Sequence, residues 1–561
     1  MKDFLKPAGR TLTLLTMLAM GAASAWGDGT PGVSAEKGGA CTFSDGVRYS
    51  QLVINSRIND FKANTTDAGF GIFSADGTMV TDPKNSKSEL DYVPGLVAKA
   101  IIEAVDYYKG SDAVDVKPWF YAIQYYANKY DITSNGKNGK SFDDLNAVKL
   151  YFCLKSLAAD GAFADGQTIS GVSNTNSSTV STADSRLAAA LTGIKKANDN
   201  YAISASTLEG AAGGWFHKSS YTDQMWCDGQ YMGPALLAQM LTEQPANTVT
   251  GTAEGDWAMV TRQFTISWNY LWDEDARLLY HAFTADPAGS TAAYWAGVSA
   301  TAGSEVYHSA EFWGRAEGWY FLALVDVLEQ MQLAGLAQSA NYATLSAMLQ
   351  KLAAGIAARQ DATTGCWYQL LAHDGSFQAT AYNSPSGKSS YRYTDEPVNN
   401  YLESSATAIF TATYLKGMRL GLFDTDYTAI AKKAYQGIIN KFMVGDGNGG
   451  VHLIACCKSA GLGGSNYRDG SAAYYLMGKD TKPTSANPSS SDFYTEGKVF
   501  GAFVLAATEY ERLFIDGSMG ISATTADRKA NSNSYDLQGR PASSKTRPFV
   551  GIRNGKKVIV K

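Results

Sequence analysis

The most regular feature of the chain is a helical spacing of apolar residues that recurs along most of its length. In the segment 90–108, Val93, Val97 and Ile101 lie four residues apart, which lines one face of an α-helix. Seven further segments share this spacing and begin at 143, 233, 316, 342, 401, 427 and 497. Weaker patterns near 49–62, 118–130, 186–198 and 258–272 bring the expected total to about twelve helices. Strand-like alternation is sparse, so the pattern predicts an all-α fold.

A short aromatic phrase recurs between the predicted helices. Its four copies are GGWFHK (213–218), RLLYHAF (277–283), GCWYQLL (365–371) and GGVHLIAC (449–456). Each follows a turn signal and precedes a loop, as expected of one structural unit used repeatedly. Repeated helix pairs cannot bury their apolar faces alone, and they either stack as a solenoid or close into a ring. Because several of the helices are rich in Ala and Gly, we favour a closed ring of six helix pairs with the His- and Trp-bearing loops at one mouth.

The beginning of the chain has the pattern of a targeting segment. Lys2, Lys6 and Arg10 precede or enter the apolar run TLTLLTMLAMGAA, and Ala23-Ser24-Ala25 fits a cleavage site. We therefore predict a signal peptide over 1–25 and an exported protein that is periplasmic, displayed on the cell surface or secreted. No later stretch approaches the roughly 18 to 20 uninterrupted apolar residues of a membrane span, so we expect none.

Composition narrows the possible partners. The 561 residues are 45% hydrophobic and 12% aromatic, with a formal net charge of -5 and a pI near 5.7. Such a chain buries a large core but has no overall basic field, which excludes a typical nucleic-acid-binding protein. The six cysteines are too few and too scattered for a disulfide framework, and no metal-ligand spacing is present. We expect buried free thiols, a monomer, and no metal, cofactor or nucleic-acid partner.

One segment concentrates groups suited to chemistry. HKSSYTDQMWCDGQYMGPALLAQM (217–240) places His217, Lys218, Tyr221, Trp226 and Asp228 directly before an apolar helical run. Cationic, aromatic and acidic groups together are typical of a pocket for an anionic, ring-shaped ligand. A buried helix entrance would use similar residue types, and an aspartate in a first helical turn is also favoured by the helix dipole. The segment alone leaves both interpretations open.

The motifs around that segment resemble a known family. His217-Lys218, Trp226-x-Asp228 before GQYMGP, LLYHAF and WGRAEGW are similar to glycoside hydrolase family 105, the unsaturated rhamnogalacturonyl hydrolases. YLESSATAIF, GLGGSNYRDGSAAYYL and GKVFGAFVLAATEYERL resemble the same family's C-terminal half. Family 88, the unsaturated glucuronyl hydrolases, is related. The resemblance covers about 45–515 and implies an (α/α)6 barrel domain over those residues, with the active site at one end.

The resemblance also implies a reaction. The expected substrate is an unsaturated uronic-acid oligosaccharide left by a polysaccharide lyase, with a double bond between C4 and C5 of its terminal sugar. An acid protonates C4, water adds at C5, and the hemiketal rearranges and expels the neighbouring sugar, which differs from the usual two-carboxylate glycosidase scheme. The alternatives are an unsaturated glucuronyl hydrolase for another uronate polysaccharide, a conventional glycosidase, a polysaccharide lyase, or a non-catalytic glycan-binding protein.

Two carboxylates carry the expected catalysis. Asp228 matches the family's catalytic aspartate, which must donate a proton and then activate water. Asp143 is the expected second carboxylate, although the adjacent Asp144 fits nearly as well. Both also sit where a helix cap or first-turn acid occurs without any function.

Recognition of the substrate carboxylate and sugar ring is expected from a larger group. The cationic and imidazole candidates are His217, Lys218, His281 and Arg315. Aromatic stacking is expected from Trp226, Trp295 and Trp319, with core packing an equal alternative for Trp295. Arg315 and Trp319 lie four residues apart, so we expect the guanidinium and the indole to face the same ligand.

The C-terminal stretch 516–561 is expected to be separate from the barrel. A Ser/Asn/Thr-rich break at 519–534 precedes a segment whose last residues alternate between apolar and polar, as in a short strand. It resembles the end of a sorting domain used by a Gram-negative secretion system. A small β-appendage or a disordered tail is the alternative.

Overall fold

The computed structural model describes residues 29–85, 89–287, 289, 295–296, 306–382, 391–465 and 467–517, together with the backbone of 549–553 and 556–560. The predicted signal peptide and the whole Ser/Asn/Thr-rich break at 519–534 lie outside these residues. The proposed domain limits 45–515 and 516–561 stay predictions.

Twelve main helical segments of the described chain alternate between an outer and an inner layer. The outer helices are α1 (Tyr49–Arg57), α3 (Lys117–Lys129), α5 (Asn176–Asn200), α7 (Ala253–Leu271), α9 (Ala340–Ala357) and α11 (Thr428–Phe442). The inner helices are α2 (Tyr92–Tyr108), α4 (Phe142–Asn146 and Leu150–Ala159, joined by the 3₁₀ turn Ala147–Lys149), α6 (Cys227–Met232 and Pro234–Glu243), α8 (Gly314–Leu333), α10 (Ser404–Arg419) and α12 (Gly497–Tyr510, continued by the π-helical turn Glu511–Ile515).

The inner helices form a closed ring. Each inner helix packs against the next inner helix along the chain, and the last one, α12, packs against the first one, α2. Each outer helix packs against an inner helix beside it. The burial follows this arrangement: α8 is buried on all sides over most of its length, whereas α9 buries only one face. The expected (α/α)6 barrel is confirmed.

Small residues allow the inner helices to approach closely. A Cβ on Gly95 of α2 would lie 2.4 Å from the Cα of Ala147, and a Cβ on Gly233 would lie 2.8 Å from the Phe142 ring. Neither position has room for a larger side chain. The following Pro234 has no N–H to donate, which explains why α6 is divided at this point.

Short strands lie in the connections between the helices and pair with each other in two-stranded sheets. The antiparallel pairs are Phe61–Ala63 with Thr66–Ala68, Ile72–Phe73 with Met79–Thr81, Gln224–Trp226 with Ala282–Thr284, Trp272–Asp273 with Leu278–Leu279, Gln378–Ala379 with Val398–Asn399, and Met443–Gly445 with Val451–Leu453; Glu89–Leu90 pairs in parallel with Asp131–Ile132. Short helices cover Ser134–Lys137 and Ala472–Met477, and 3₁₀ turns cover Glu209–Ala211 and Lys479–Thr481. The antiparallel pair Phe549–Arg553 and Lys556–Val560 confirms the β-structure expected at the C-terminus.

The four aromatic phrases occupy equivalent places in the ring. Each lies between the end of an outer helix and the start of the next inner helix. They therefore reach the barrel at the end where the inner helices begin. All six cysteines are free, and five of them are buried, as expected from the sequence. None of the helices in the described part of the chain is both long and apolar enough to cross a membrane.

Candidate active site

The first turns of five inner helices surround one cavity of about 240 Å³. The second residues of four inner helices line it, and the first residue of α2 joins them; these residues are Tyr92, Asp143, Asp228, Arg315 and Lys498. A helix N-terminus carries partial positive charge and unpaired N–H groups. The convergence of several such ends makes the cavity favourable for an anionic ligand.

Asp143 is the strongly ionised carboxylate of this cavity. Its Oδ1 lies 3.2 Å from Nε2 of His217, and its Oδ2 lies 2.5 Å from Nζ of Lys218. Burial opposes the charge, but Lys218 and His217 outweigh burial and hold the pKa of Asp143 well below its usual range. The charge of Lys218, which we expected to serve substrate recognition, is therefore largely used to stabilise Asp143.

Asp144 faces away from the cavity. Its Oδ2 accepts a hydrogen bond of 2.9 Å from the hydroxyl of Thr133, and it is not among the lining residues. Of the two adjacent aspartates that the sequence could not separate, only Asp143 reaches the site.

Asp228 lies in a different environment. Its side chain is 16% exposed, and its Oδ2 lies 3.4 Å from Nε2 of the fully buried His281. Within the described ranges, no lysine or arginine forms an ion pair with Asp228. Asp228 therefore has a neighbour that can share a proton with it, rather than a permanent cation that would hold its charge.

A tyrosine fixes the orientation of His281. The hydroxyl of Tyr475 lies 2.7 Å from Nδ1 of His281. Burial lowers the pKa of His281, although Asp228 acts in the opposite direction, and burial raises the pKa of Tyr475 well above its usual value. Both groups are therefore neutral at neutral pH. We infer that the Tyr475 O–H donates to Nδ1, which leaves the imidazole proton on Nε2, the nitrogen that lies 3.4 Å from Oδ2 of Asp228.

Aromatic rings form one wall of the cavity. The indole of Trp226 is stacked with Tyr221 at 4.7 Å and with His217 at 5.3 Å between ring centroids. All three residues line the cavity. Such a wall offers an apolar face to a sugar ring.

Arg315 is fixed by residues from two other segments. Its Nη1 donates to Oγ of Ser405 at 3.2 Å and to the backbone carbonyl of Cys457, and it lies 4.0 Å from Oε1 of Glu403. The guanidinium lies over the ring of Trp313, 4.6 Å from its centroid. Arg315 is thus held in place at the cavity wall.

Trp319 does not share a ligand with Arg315, contrary to our expectation. It is buried, stacks on Tyr231 at 4.8 Å, contacts the edge of Tyr92 at 6.0 Å, and is not a lining residue. Four residues after Arg315, it lies about one helical turn farther from the cavity. The spacing identified the correct face of α8 but not the depth.

Trp295 is also absent from the lining. It is fully buried and packs with Trp226, Ala282, Ala296 and Leu462. Of the two interpretations left open for it, the structure favours core packing behind the Trp226 wall.

Sequence reasoning missed several residues of the site, including Arg468 and Tyr475. Arg468 lines the cavity, and its Nε donates to the Gly463 carbonyl at 2.8 Å. Both residues belong to GLGGSNYRDGSAAYYL, one of the segments that carried the family resemblance. That segment was the available signal, but nothing in it indicated which side chains face the site.

Comparison with known proteins gives a family. The model described as Glycosyl Hydrolase Family 88 matches residues 193–394 and 378–514, which together make up more than half of the chain. The chain belongs to glycosyl hydrolase family 88. Membership of family 88 makes it a glycoside hydrolase by class and agrees with the relationship expected from the motifs.

Individual relatives of this family 88 chain are more distant. Protein Atu3128 of Agrobacterium fabrum is 32% identical over 174 residues, which are 30% of this chain. The 24.9 kDa protein in the picA locus of Rhizobium radiobacter matches to the same extent. The chain spans 63% of the length of these curated relatives.

Solved structures support the fold. A family 105 glycoside hydrolase from C. acetobutylicum has a TM-score of 0.53 and 24% identity, covering 83% of this chain and 100% of its own. A possible family 105 member from Klebsiella pneumoniae has a TM-score of 0.51 and 17% identity, covering 84% of this chain and 94% of its own. At these identities, the similarity extends to the architecture of the family 88 chain and no further.

Proposed function

We propose that the protein removes a 4,5-unsaturated uronic acid from the non-reducing end of lyase-generated oligosaccharides by hydrating the C4=C5 bond. The observation that carries this proposal is the contrast between two carboxylates in one cavity. Asp143 is held ionised by Lys218, whereas Asp228 is in contact with a neutral histidine. Two carboxyl groups in different environments are the usual basis for separate acid-base roles.

In the proposed reaction, Asp228 starts protonated and gives its proton to C4. Water adds to C5 as the double bond is consumed, and the resulting Asp228 carboxylate takes a proton from that water. The hemiketal formed at C5 opens, and the hemiacetal left at C1 expels the neighbouring sugar. One water molecule is consumed in total, and Asp228 ends in its starting state.

The remaining residues bind and orient the substrate. Arg315 and the inner-helix N-termini suit the uronate carboxylate, and the Trp226 wall suits the sugar ring. Asp143 keeps Lys218 and His217 in place, and it does not serve as the donor because its pKa is too low. His281 lies beside Asp228, with its Nε2 3.4 Å from Oδ2 of the carboxyl group.

Within this reaction class we propose a rhamnogalacturonan-type oligosaccharide as the substrate, supported by the motif resemblance to family 105. We also propose that the enzyme acts outside the cytoplasm, supported by the N-terminal pattern of Lys2, Lys6 and Arg10 before an apolar run. A sorting role for the C-terminal strand pair is proposed on its position after the barrel.

The test is incubation with lyase-generated oligosaccharides while the ultraviolet absorbance of the conjugated double bond is followed. We expect the absorbance to disappear as the leaving sugar is released. In deuterated water, C4 of the product gains one solvent deuteron, and in heavy-oxygen water the label enters at C5. Release of the sugar with the double bond intact would contradict the proposed reaction.

A further inference from the structure

A second cavity of about 530 Å³ adjoins the candidate active site. The two cavities share Asn64 and Ser459 in their linings, so they lie side by side, and we refer to the two together as the cleft. The walls of the second cavity come mainly from the segments 392–393, 479–482 and 491–492, which lie in connections outside the long helices. A sugar bound at Asp228 therefore has space beside it for the rest of an oligosaccharide.

The second cavity is rich in cations. Its lining contains Arg392, Lys458, Lys479 and Lys482 against only Asp480 and Asp492. Asp492 lies between two of the lysines, 2.5 Å from Lys458 and 2.6 Å from Lys482, so one carboxylate compensates two ammonium groups.

This excess continues through the whole cleft. Among the described lining residues of both cavities, eight are Lys or Arg and four are Asp. The chain as a whole carries a formal net charge of -5. Three of these cations also contact acids behind the lining, namely Glu403, Glu496 and Asp395. With those acids counted, the cations of the cleft still outnumber the acids by one, against the overall sign of the protein, and a concave surface of one sign attracts ligands of the opposite sign.

We propose that the second cavity is a subsite for an anionic sugar in the leaving part of the substrate, bearing a carboxylate or a sulfate ester. The inference rests on the proposed function, because it needs the unsaturated uronate at Asp228. Flexible lysine side chains suit an anionic group of either geometry. The ring of Tyr393, which lies 5.8 Å from Nζ of Lys482, provides an aromatic face for the same sugar.

The experiment compares three oligosaccharides with the same unsaturated uronate and a leaving part that is neutral, carries a uronate, or carries a sulfate ester. For the wild type we expect kcat/KM to be about tenfold higher with an anionic leaving part, mainly through a lower KM. Added salt should reduce that preference, because the cleft is open to solvent. The ratio between the two anionic substrates identifies which anion is preferred.

The matched variant is the double substitution Arg392→Gln with Lys479→Gln. Neither residue forms an ion pair with Asp492, so the ion pairs of Asp492 with Lys458 and Lys482 stay intact. We expect this double variant to lose about tenfold in kcat/KM on the anionic substrates and less than about twofold on the neutral one. Lys351→Gln, which removes an exposed lysine paired with Glu274, should leave all three values unchanged.

The outcomes separate the subsite from the reaction. A wild type that prefers the neutral leaving part, or a double variant that affects all three substrates equally, overturns the subsite. A wild type that consumes none of the double bonds overturns the proposed function itself. If the thermal unfolding temperature of the double variant falls, the comparison is repeated with the single variant Lys479→Gln, because Lys479 is exposed. That variant must then lose less kcat/KM than the double variant, and only on the anionic substrates.

Discussion

The two ends of the barrel both contain buried charge, but they compensate it differently. Where the inner helices end, a cavity of about 210 Å³ is lined by an ion-pair network. Nζ of Lys416 lies 2.6 Å from Asp326 and 2.7 Å from Glu329, and Arg419 lies 2.6 Å from Glu509. Where the inner helices begin, Asp228 has no such cationic partner within the described structure.

This difference distinguishes a carboxylate that stabilises the fold from one that is proposed to act in the reaction. At the far end, burial opposes the charge of Asp326, but Lys416, Lys99 and Lys149 outweigh it and lower the pKa of the carboxyl. A carboxylate that is held ionised in this way cannot exchange protons near neutral pH. Asp228 is in contact with a neutral imidazole instead, which is compatible with the proton-transfer role proposed for it.

The largest effect is expected from Asp228→Asn. An amide can hydrogen-bond to His281 but cannot supply a proton, so kcat should fall on the order of a hundred- to ten-thousand-fold or more, with substrate binding preserved. Kinetics and calorimetric binding of the intact substrate measure the two quantities. Asp144→Asn, which changes an aspartate next to Asp143 whose side chain faces away from the cavity, is the control and should retain activity. Near wild-type turnover in the Asp228 variant would refute the mechanism.

Arg315→Lys should have the next largest effect. The Arg315 guanidinium contacts Ser405 and the Cys457 carbonyl while its flat face lies over the ring of Trp313. The ammonium group of a lysine is not planar and cannot make all of these contacts at once. We expect kcat/KM to fall about ten- to a hundredfold, mostly through KM. Arg262→Lys, which changes an outer-helix arginine bonded to the Ala212 carbonyl, should behave like the wild type. If Arg315→Lys and Arg262→Lys have equal activity, Arg315 does not take part in substrate binding.

Tyr475→Phe tests the orientation of His281. Without the phenol, Nδ1 of His281 loses its donor and becomes easier to protonate, so the pKa of His281 should rise. A cationic His281 would favour the charged form of Asp228, so activity should fall at low pH and the acidic limb of the pH profile should move to higher pH.

In that variant, the loss of turnover at neutral pH should be about tenfold, smaller than for Asp228→Asn. Tyr414→Phe removes another buried hydroxyl, bonded to the Ala353 carbonyl, and should leave the pH profile in place. An unchanged acidic limb in Tyr475→Phe would show that the tyrosine has only a packing role.

The smallest effect on activity is expected at the far end. Asp326→Asn leaves Lys416 with one carboxylate fewer and should lower the free energy of unfolding by about 2 to 4 kcal/mol, with kcat/KM changed less than about twofold. Asp184→Asn breaks an exposed pair with Lys155 and should cost less than about 1 kcal/mol.

The stability difference at Asp326 also has a predicted pH dependence. The folded-state pKa is depressed, so the stabilisation is fully present above the ordinary carboxyl pKa and is lost as pH falls through the depressed value. Denaturant unfolding at neutral and at acidic pH measures this. A large loss of activity in the Asp326 variant would remove the distinction between the two ends.

The fold was predictable because each helix of the ring has a sequence pattern that lies within a short stretch of chain. Apolar spacing marked the helices, and the repeated phrases marked the start of an inner helix after an outer one. The sequence could not decide between Asp143 and Asp144, because both fit the first turn of α4. The contacts that separate them, Asp143 with Lys218 and Asp144 with Thr133, involve other segments of the chain.

The rest of the site depends on contacts between distant segments. Tyr475 meets His281 across 194 residues of chain, and neither local sequence carries a signal for the other. Trp319 shows the complementary limit, since helical periodicity gives the face of a residue but not its distance from the cavity. Sequence patterns therefore located the correct end of the barrel more reliably than they assigned individual side chains.

The closure of α12 against α2 has a consequence for how activity develops during folding. The cavity needs Tyr92 from the first inner helix and Lys498 from the last, so no partly assembled ring contains the complete site. Local helix pairs form early, whereas contacts between the two ends of a chain form late because closing a long loop costs entropy. Recovery of activity after dilution from denaturant should therefore follow the final joining of the ring, later than the recovery of helical content.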